Sequence, residues 1–277
     1  MVEFERKFIG SGGIELVAKE WTVATPKARV IITHGFAEHL GRYSRLASDL
    51  NDKNIACYSF DLRGHGKSPG IRGYIESFQQ YYGDLSTYVE LVSQQHPTVP
   101  LFLFGHSLGG LLVFRYIQDF RPAGIRGVIL SSPLFGVAVK IPKTKRIALP
   151  ALKWLIPTLT LHNEIDSNNL SHDEAICEGY RTDPLVHTRA SATFFYELLQ
   201  EMEIAKDKAP QWTHPIIVQY AGDDRIVDQN ATEAICKLIP PQYLTQIKYD
   251  SFFHEIFNEI ERQKPINDLI SWINQRI

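Results

Sequence analysis

Residues 99–110 read VPLFLFGHSLGG, an apolar run that leads into a serine set among glycines. The pattern Gly-x-Ser-x-Gly runs from Gly105 to Gly109, and a helical pattern follows it as far as Phe120. A strand-to-helix turn of this kind lifts the hydroxyl of its serine, here Ser107, clear of the backbone, and it needs glycines where side chains would clash. Since the pattern also arises by composition alone, its meaning depends on whether the chain supplies partners for Ser107.

The composition predicts a globular chain with no electrostatic reason to bind nucleic acid. The 277 residues are 44% hydrophobic, which suffices for one large core. With 29 basic and 31 acidic side chains, the net charge is only −2. Three scattered cysteines favour reduced thiols over a disulfide framework or a zinc site.

The N-terminal sequence MVEFERKFIGSGG is charged and alternating, and it lacks the apolar core of a signal peptide. No stretch of the chain reaches the 18 or so apolar residues of a membrane-spanning helix. We therefore expect a cytoplasmic protein, with contact at a membrane surface left open. The sequence carries no signal for an oligomeric state.

The order of strand and helix patterns predicts a parallel α/β sheet. Two alternating segments, 4–9 and 14–21, predict an antiparallel hairpin. Continuously apolar segments, typical of strands covered on both faces, then alternate with amphipathic ones. The predicted buried strands are 29–33, 55–60, 101–104, 127–130, 215–220 and 245–249, and the predicted helices are 42–53, 78–95, 107–120, 229–238 and 259–277.

The alternation stops after residue 133 and resumes near residue 208. We expect residues 1–133 and 208–277 to form the α/β core, and residues 134–207 to form a helical lid without strands, inserted after the sixth strand. Within the lid, a helical pattern runs from about 191 to 205. Long insertions between elements of a compact domain are usually lids or binding segments. The alternative is a second helical domain without a functional role.

A serine hydroxyl is a weak nucleophile unless a base and an acid support it. His254 lies just beyond the last predicted strand, and Asp223 and Asp224 follow the strand before it. The order serine, aspartate, histidine, with each residue on a loop after a strand, is that of one large class of serine hydrolases. Position alone leaves both aspartates as candidates.

Such a site also needs two N–H donors for the oxyanion that forms on the substrate. The residue after the serine, Leu108, supplies one of them in this arrangement. The other is expected in the loop after the third strand, where Gly35 allows a close approach and the N–H of Phe36 is the candidate.

Four motifs together resemble the α/β-hydrolase family of monoacylglycerol lipases and lysophospholipases. They are HGFAEHLGRY at 34–43, DLRGHGKS at 61–68, GHSLGG at 105–110 and DPL at 183–185. The resemblance extends over the lid, where PTLTL at 157–161, IDS at 165–167 and YRTDPL at 180–185 are similar to monoacylglycerol lipases. It implies an α/β-hydrolase fold, with a mostly parallel eight-stranded sheet flanked by helices, and it implies no metal or cofactor.

The resemblance also assigns roles at the site. It makes Ser107 the nucleophile and His254 the base, and it favours Asp224 over Asp223, because the family's acid stands three residues before an apolar residue. Phe36 and Leu108 match the oxyanion donors, while His106 and Asp61 are expected to be structural.

Glu38, Arg42 and Tyr43 match residues that border the family's polar pocket for glycerol. The alternative is that Glu38 and Arg42 pair with each other and brace their loop. The sequence departs from the family at Phe257, where some members carry a histidine that binds the head group.

Residues 140–156, KIPKTKRIALPALKWLI, contain five basic side chains and no acidic ones. The apolar residues among them, with Trp154, predict a cationic amphipathic segment that adsorbs to anionic lipid and is kinked or split at Pro150. The competing interpretation is that its apolar face packs on the body of the enzyme.

These observations predict a serine hydrolase that cleaves a monoacylglycerol to fatty acid and glycerol through an acyl-enzyme. A lysophospholipase or a broader carboxylesterase is the alternative within the same chemistry. An aminopeptidase would need carboxylates for a free ammonium group, and only Glu38, Glu164 and Glu174 are candidates. A catalytically silent binding protein with this fold is the remote alternative, because such chains usually lack a member of the triad.

Overall fold

The computed structural model describes residues 2–138, 143–163 and 165–277, with the backbone only for 143–148 and 161. The first half of the chain alternates strands with helices. In chain order these are β1 (Val2–Ile9), β2 (Glu15–Thr22), β3 (Ala28–Thr33), α1 (Ser44–Asn51), β4 (Ile55–Phe60), α2 (Phe78–Gln95), β5 (Leu101–His106), α3 (Leu108–Phe120) and β6 (Ile125–Ser131).

The inserted segment and the end of the chain follow. The insertion holds α4 (Lys143–Leu155), β7 (Thr160–His162), α5 (Glu174–Thr182), β8 (Arg189–Ser191) and α6 (Ala192–Lys208). The last elements are β9 (Ile216–Ala221), α7 (Gln229–Cys236), β10 (Leu244–Tyr249) and α8 (Gln263–Asn274). Short 3₁₀ turns lie at Ser11–Gly13, Leu40–Tyr43, Ser167–Asn169 and Ala209–Gln211.

Eight strands form one sheet in the order β1-β2-β4-β3-β5-β6-β9-β10. The first two pair antiparallel with each other, and β2 pairs antiparallel with β4, whereas the remaining neighbours are parallel. The predicted fold class, a mostly parallel eight-stranded sheet, is confirmed. In a parallel sheet the carboxyl ends of the strands meet at one edge, so the loops after β3, β5, β9 and β10 collect there.

Helices cover both faces of the sheet, and each face has its own apolar core. Leu103 of β5 packs with Leu85 of α2 and Leu112 of α3 in one cluster. Its neighbour Phe104 points the opposite way, into the cluster that holds Leu269 of α8. Strands covered on both faces are apolar at nearly every position, which explains the uninterrupted run LFLF.

The segment between β6 and β9 differs from its prediction in two respects. It contains strands, because β7 and β8 form a two-stranded antiparallel sheet in which Thr160 pairs with Ser191. It also contains α5, in a stretch for which no helix was predicted. Strands of three residues are too short to show an alternating pattern, so the prediction of a strand-free lid is wrong. Helix α4 runs through Pro150 without being split.

Helix α6 holds the insertion on the core through a buried polar contact. Glu201 accepts hydrogen bonds of 2.7 Å from both Arg115 Nε of α3 and Tyr82 Oη of α2. Within the described ranges, none of the helices is both long and apolar enough to cross a membrane.

Candidate active site

Ser107 occupies a strained turn between β5 and α3. Its backbone angles, φ 52° and ψ −118°, lie in a region that non-glycine residues rarely adopt. The flanking glycines are required by close packing: a Cβ on Gly105 would lie 2.2 Å from the carbonyl oxygen of Gly109, and one on Gly109 would lie 2.1 Å from that of Thr33. The sequence pattern therefore encodes a turn that only small residues allow, with the serine at its apex.

The structure joins His254 to Asp224 rather than to Asp223. Nδ1 of His254 lies 2.8 Å from Oδ2 of Asp224, and the two side chains are 4% and 3% exposed. The other carboxylate oxygen of Asp224 accepts the backbone N–H groups of Ile226 and Val227. Asp223 is 47% exposed and pairs with Arg225. The buried aspartate is thus oriented on both sides, as an acid that steadies an imidazole must be.

Burial and charge act in opposite directions on this pair. Burial alone would lower the pKa of His254, but Asp224, with smaller contributions from Glu255 and Glu38, outweighs it, so the pKa of His254 lies above its ordinary value. Burial would likewise raise the pKa of Asp224, yet His254 and the two backbone N–H donors hold the pKa of that carboxyl below its ordinary value. The pair therefore favours an ionised aspartate beside a histidine that readily accepts a proton.

His254 lies next to the turn that carries Ser107. Its ring centroid is 4.7 Å from that of His106, the residue before the serine. His106 Nδ1 lies 3.1 Å from the hydroxyl of Ser131. Burial, aided by the nearby His254, lowers the pKa of His106 to about 4, so His106 is neutral near pH 7. These contacts agree with the structural role expected for His106.

The loop after β3 approaches Ser107 as expected for an oxyanion site. A Cβ on Gly35 would lie only 3.3 Å from the Cβ of Ser107. Among the described residues, the backbone N–H groups of Phe36 and Leu108 donate to no protein acceptor. Leu108 is also the first residue of α3, whose positive end faces the turn. Two N–H donors beside a serine are the arrangement that stabilises a tetrahedral oxyanion.

Glu38 fixes the loop after β3 through hydrogen bonds to its carboxylate. Its carboxylate accepts the N–H of Gly35 at 2.6 Å and the hydroxyl of Tyr43 at 2.6 Å. Arg42 donates to its second oxygen, also at 2.6 Å. Burial would raise the pKa of Glu38, but Arg42, His106, His34 and the hydroxyl of Tyr43 together outweigh it, and the pKa falls to about 2. The contacts are those of the alternative interpretation, in which Glu38 and Arg42 pair.

Known proteins share this architecture. The serine aminopeptidase S33 family matches residues 24–261, which is most of the chain. The chain belongs to this S33 hydrolase family.

Three relatives of this S33 hydrolase match along nearly their whole length. Monoglyceride lipase of Rattus norvegicus is 30% identical over 97% of the chain and 90% of its own length. A phospholipase of Bacillus subtilis is 30% identical over 93% of the chain and 99% of its own length. The crystal structure of Paleococcus ferrophilus monoacylglycerol lipase superposes with a TM-score of 0.87, at 31% identity over 95% of the chain and 100% of its own length.

Behind the serine turn of the S33 hydrolase lies a cavity of about 20 Å³, which has room for about one water molecule. Glu38, Arg42 and Tyr43 line it, as does Phe257, whose ring centroid is 5.6 Å from that of Phe104. Phe257 thus contributes an apolar wall to a cavity that is otherwise lined largely by polar side chains.

Two features of the S33 site were not predicted. Glu255, directly after His254, binds Arg42 through both carboxylate oxygens, at 2.6 and 2.9 Å. The inserted segment also holds the loop after β3, because His39 contacts Asp183 at 2.9 Å and the N–H of His187 donates to the carbonyl of Ala37. The motif DPL signalled the family but gave no partner for its aspartate, which is 144 residues from His39.

Proposed function

We propose that this S33 hydrolase cleaves the ester of a monoacylglycerol, with Ser107 as nucleophile, His254 as base and Asp224 as acid. The buried His254–Asp224 pair beside a strained serine is the observation that carries the proposal. Phe36 and Leu108 donate their N–H groups to the oxyanion. No step in this chemistry requires a metal or a cofactor.

In the first half of the reaction, His254 takes the proton from Ser107 as the hydroxyl oxygen attacks the ester carbonyl. Asp224 stabilises the imidazolium, and the two N–H donors stabilise the charge on the former carbonyl oxygen. The tetrahedral intermediate collapses, and glycerol leaves with the proton returned by His254. The product is an acyl-enzyme on Ser107.

In the second half, His254 removes a proton from a water molecule that attacks the acyl-enzyme. The same two N–H groups hold the second oxyanion. The fatty acid leaves, and His254 returns the proton to Ser107. The relatives named as monoacylglycerol and monoglyceride lipases support the glycerol ester as substrate.

Lysophospholipid hydrolysis is the second candidate, and the similarity to a Bacillus subtilis phospholipase supports it. An aminopeptidase activity is less well supported, although the family's description carries that word. Glu38 is one of the carboxylates that could bind the free ammonium group of a peptide substrate. Its oxygens already accept hydrogen bonds from Gly35, Arg42 and Tyr43, which leaves it poorly placed for that role. Glu164 lies outside the described residues.

A matched assay of oleoylglycerol and oleoyl-lysophosphatidylcholine tests the substrate class. We expect kcat/KM to favour the glycerol ester by at least about tenfold, because the buried group of Glu38, Arg42 and Glu255 carries one excess negative charge, and the field of that charge disfavours a phosphodiester without contacting it. A preference for the phospholipid would reject the glycerol ester as the physiological class and leave the serine chemistry intact.

We further propose that the insertion rests on a lipid surface while the protein remains in the cytoplasm. The end of α4 and the residues after it expose apolar side chains: Leu152 is 37% exposed, Trp154 81%, Leu155 63%, Ile156 41% and Leu159 50%. Lys153 stays beside them, paired with Glu197 of α6. Residues 140–142 and the side chains of 143–148, which carry the other basic groups, lie outside the described part. Exposed aromatic and aliphatic groups beside a basic segment favour interfacial adsorption.

Replacing Trp154 and Leu155 together by serine is expected to weaken binding to vesicles that contain phosphatidylglycerol by at least about tenfold. Turnover of a water-soluble ester should change little, since the two side chains are exposed and distant in sequence from the triad. Co-sedimentation measures the binding. Ile260→Ser, which removes an equally exposed apolar side chain elsewhere, is the control. Equal vesicle binding by the Trp154/Leu155 double variant and by Ile260→Ser would reject the lipid contact.

A further inference from the structure

Three buried charged groups form one cluster behind the triad. Arg42 donates to Glu38 and, through both terminal nitrogens, to Glu255, with distances between 2.6 and 2.9 Å. The guanidinium side chain is 10% exposed, and the two carboxylate side chains are 4% and 5% exposed. A forked, buried contact of this kind fixes geometry strongly because the guanidinium plane matches the carboxylate.

The cluster joins the two loops on which catalysis depends. On one side, Glu38 accepts a hydrogen bond from the N–H of Gly35, the residue before the proposed oxyanion donor Phe36. On the other side, Glu255 follows His254 directly, and its Oε2 also accepts a hydrogen bond from the side-chain amide of Asn258. A displacement of Arg42 would therefore shift the oxyanion loop and the histidine loop relative to each other.

The insertion reaches the same cluster. The ring of Tyr180, from α5, lies 4.8 Å below the guanidinium of Arg42. The N–H of Glu255 donates to the carbonyl of Leu170 at 2.8 Å. The two carboxylates and one guanidinium thus sit between the core and the insertion, where water is largely excluded.

The charges in the cluster do not cancel. Two carboxylates face one guanidinium, which leaves one excess negative charge beside His254. In a site shielded from water, such a charge acts strongly on a neighbouring cation. The imidazolium of His254 is the cation that forms in both tetrahedral steps.

We infer that Arg42 and Glu255 are positioning residues of the hydrolase, which tie the oxyanion loop to the histidine loop and stabilise the imidazolium of His254 alongside Asp224. This inference rests on the proposed function. It differs from a role in head-group recognition, because both residues act through other residues of the site rather than through the substrate.

The electrostatic part agrees with the groups that face His254. Burial lowers the pKa of His254, whereas Asp224, Glu255 and Glu38 raise it, in that order of size for the carboxylates. The neighbouring His106 is neutral near pH 7, and Arg42 is shared between its two carboxylates. Removal of the charge on Glu255 should therefore lower the pKa of His254.

The first experiment measures kcat/KM against pH for the Glu255→Gln variant, using a soluble butyrate ester. Since His254 must be neutral to act as base, the acid limb reports its pKa in the free enzyme. We expect the limb to move to lower pH by about 0.5–1 unit, with roughly a three- to tenfold loss at the plateau. Asp223→Asn, which removes an exposed carboxylate from the neighbouring loop, should leave the limb in place. An unmoved limb in Glu255→Gln would overturn the electrostatic part.

The second experiment uses Arg42→Lys to test whether Arg42 holds the two loops together. Lysine keeps the positive charge but cannot make the two parallel hydrogen bonds to Glu255. We expect kcat to fall roughly 10- to 100-fold for both a glycerol ester and a p-nitrophenyl ester that has no glycerol. The acid limb should stay in place because the charge is retained. A loss confined to the glycerol ester would overturn the inference and return Arg42 to head-group binding.

The Ser107→Ala variant distinguishes an error in the roles of Arg42 and Glu255 from an error in the proposed function. If Ser107→Ala retained turnover, the function itself would be wrong, whatever the two variants did. Thermal unfolding of both variants identifies a loss that comes from misfolding, and the pH profile of the folded fraction remains a valid readout because it does not depend on enzyme concentration.

Discussion

The Ser107→Ala variant is expected to lose about 10⁵- to 10⁶-fold of the esterase activity. No acyl-enzyme can form without the hydroxyl, and His254 has no proton to remove from residue 107. The two N–H donors remain in place, so a small residual rate above that of water is expected. Release of fatty acid from oleoylglycerol measures the loss.

Ser132→Ala provides a matched control for this change. Ser132 is also a buried serine with a positive φ, 38°, and it follows the neighbouring strand β6. Its hydroxyl accepts the N–H of Ala221 at 3.4 Å, so its loss affects stability rather than chemistry. We expect turnover within about threefold of the wild type, with a cost to stability on the order of 1 kcal/mol.

A fluorophosphonate probe provides an independent measurement of the nucleophile. The probe should label wild-type protein at a single residue, and peptide mass spectrometry should locate it at Ser107. Substantial turnover by Ser107→Ala, or labelling of another residue, would show that the nucleophile lies elsewhere.

The fold was largely predictable because most of its strands are buried on both faces. The runs at 55–60 and 78–95 coincide with β4 and α2, and the other core elements differ by a few residues at their ends. The insertion was harder to predict, since the pairing of β7 with β8 depends on residues about 30 positions apart. Helix α5 did have a local signal: Asp173 caps it by accepting the N–H of Ala175.

The parts of the site that a sequence motif places after a strand were predictable. Contacts between residues far apart in the sequence were less so. The turn at Ser107 and the loop of His254 follow from their places after strands. The pairing of Glu38 with Arg42 follows from a spacing of four residues. The contact between Arg42 and Glu255 joins residues 213 positions apart, and no local pattern signals it.

Asp223 and Asp224 are adjacent in the chain, but only Asp224 contacts His254. Asp224→Asn is expected to lower kcat/KM by about 10⁴-fold, as in other Ser–His–Asp sites, whereas Asp223→Asn should stay within about threefold of the wild type. The two variants make the same chemical change at neighbouring residues, one 3% and the other 47% exposed. Steady-state rates with a soluble ester compare them directly.

The expected loss arises from the tautomer of His254. Asp224 accepts a hydrogen bond from the N–H at Nδ1, which holds the proton there and leaves the lone pair of Nε2 free to take the proton of Ser107. The amide of Asp224→Asn would instead donate to Nδ1, so Nε2 would carry the proton and could not act as a base. The backbone donors at Ile226 and Val227 still find an amide oxygen, so the loop should keep its shape.

The pH dependence separates this mechanism from a structural one. Burial lowers the pKa of His254, but Asp224, with smaller contributions from Glu255 and Glu38, raises it above its ordinary value, so the acid limb of kcat/KM in the wild type should lie above pH 6.5. Without that carboxylate, burial dominates and the limb of the residual activity should move to lower pH. If Asp223→Asn alone abolished turnover, or if Asp224→Asn left both rate and limb unchanged, His254 would draw its support from another group and the assignment of the acid would be wrong.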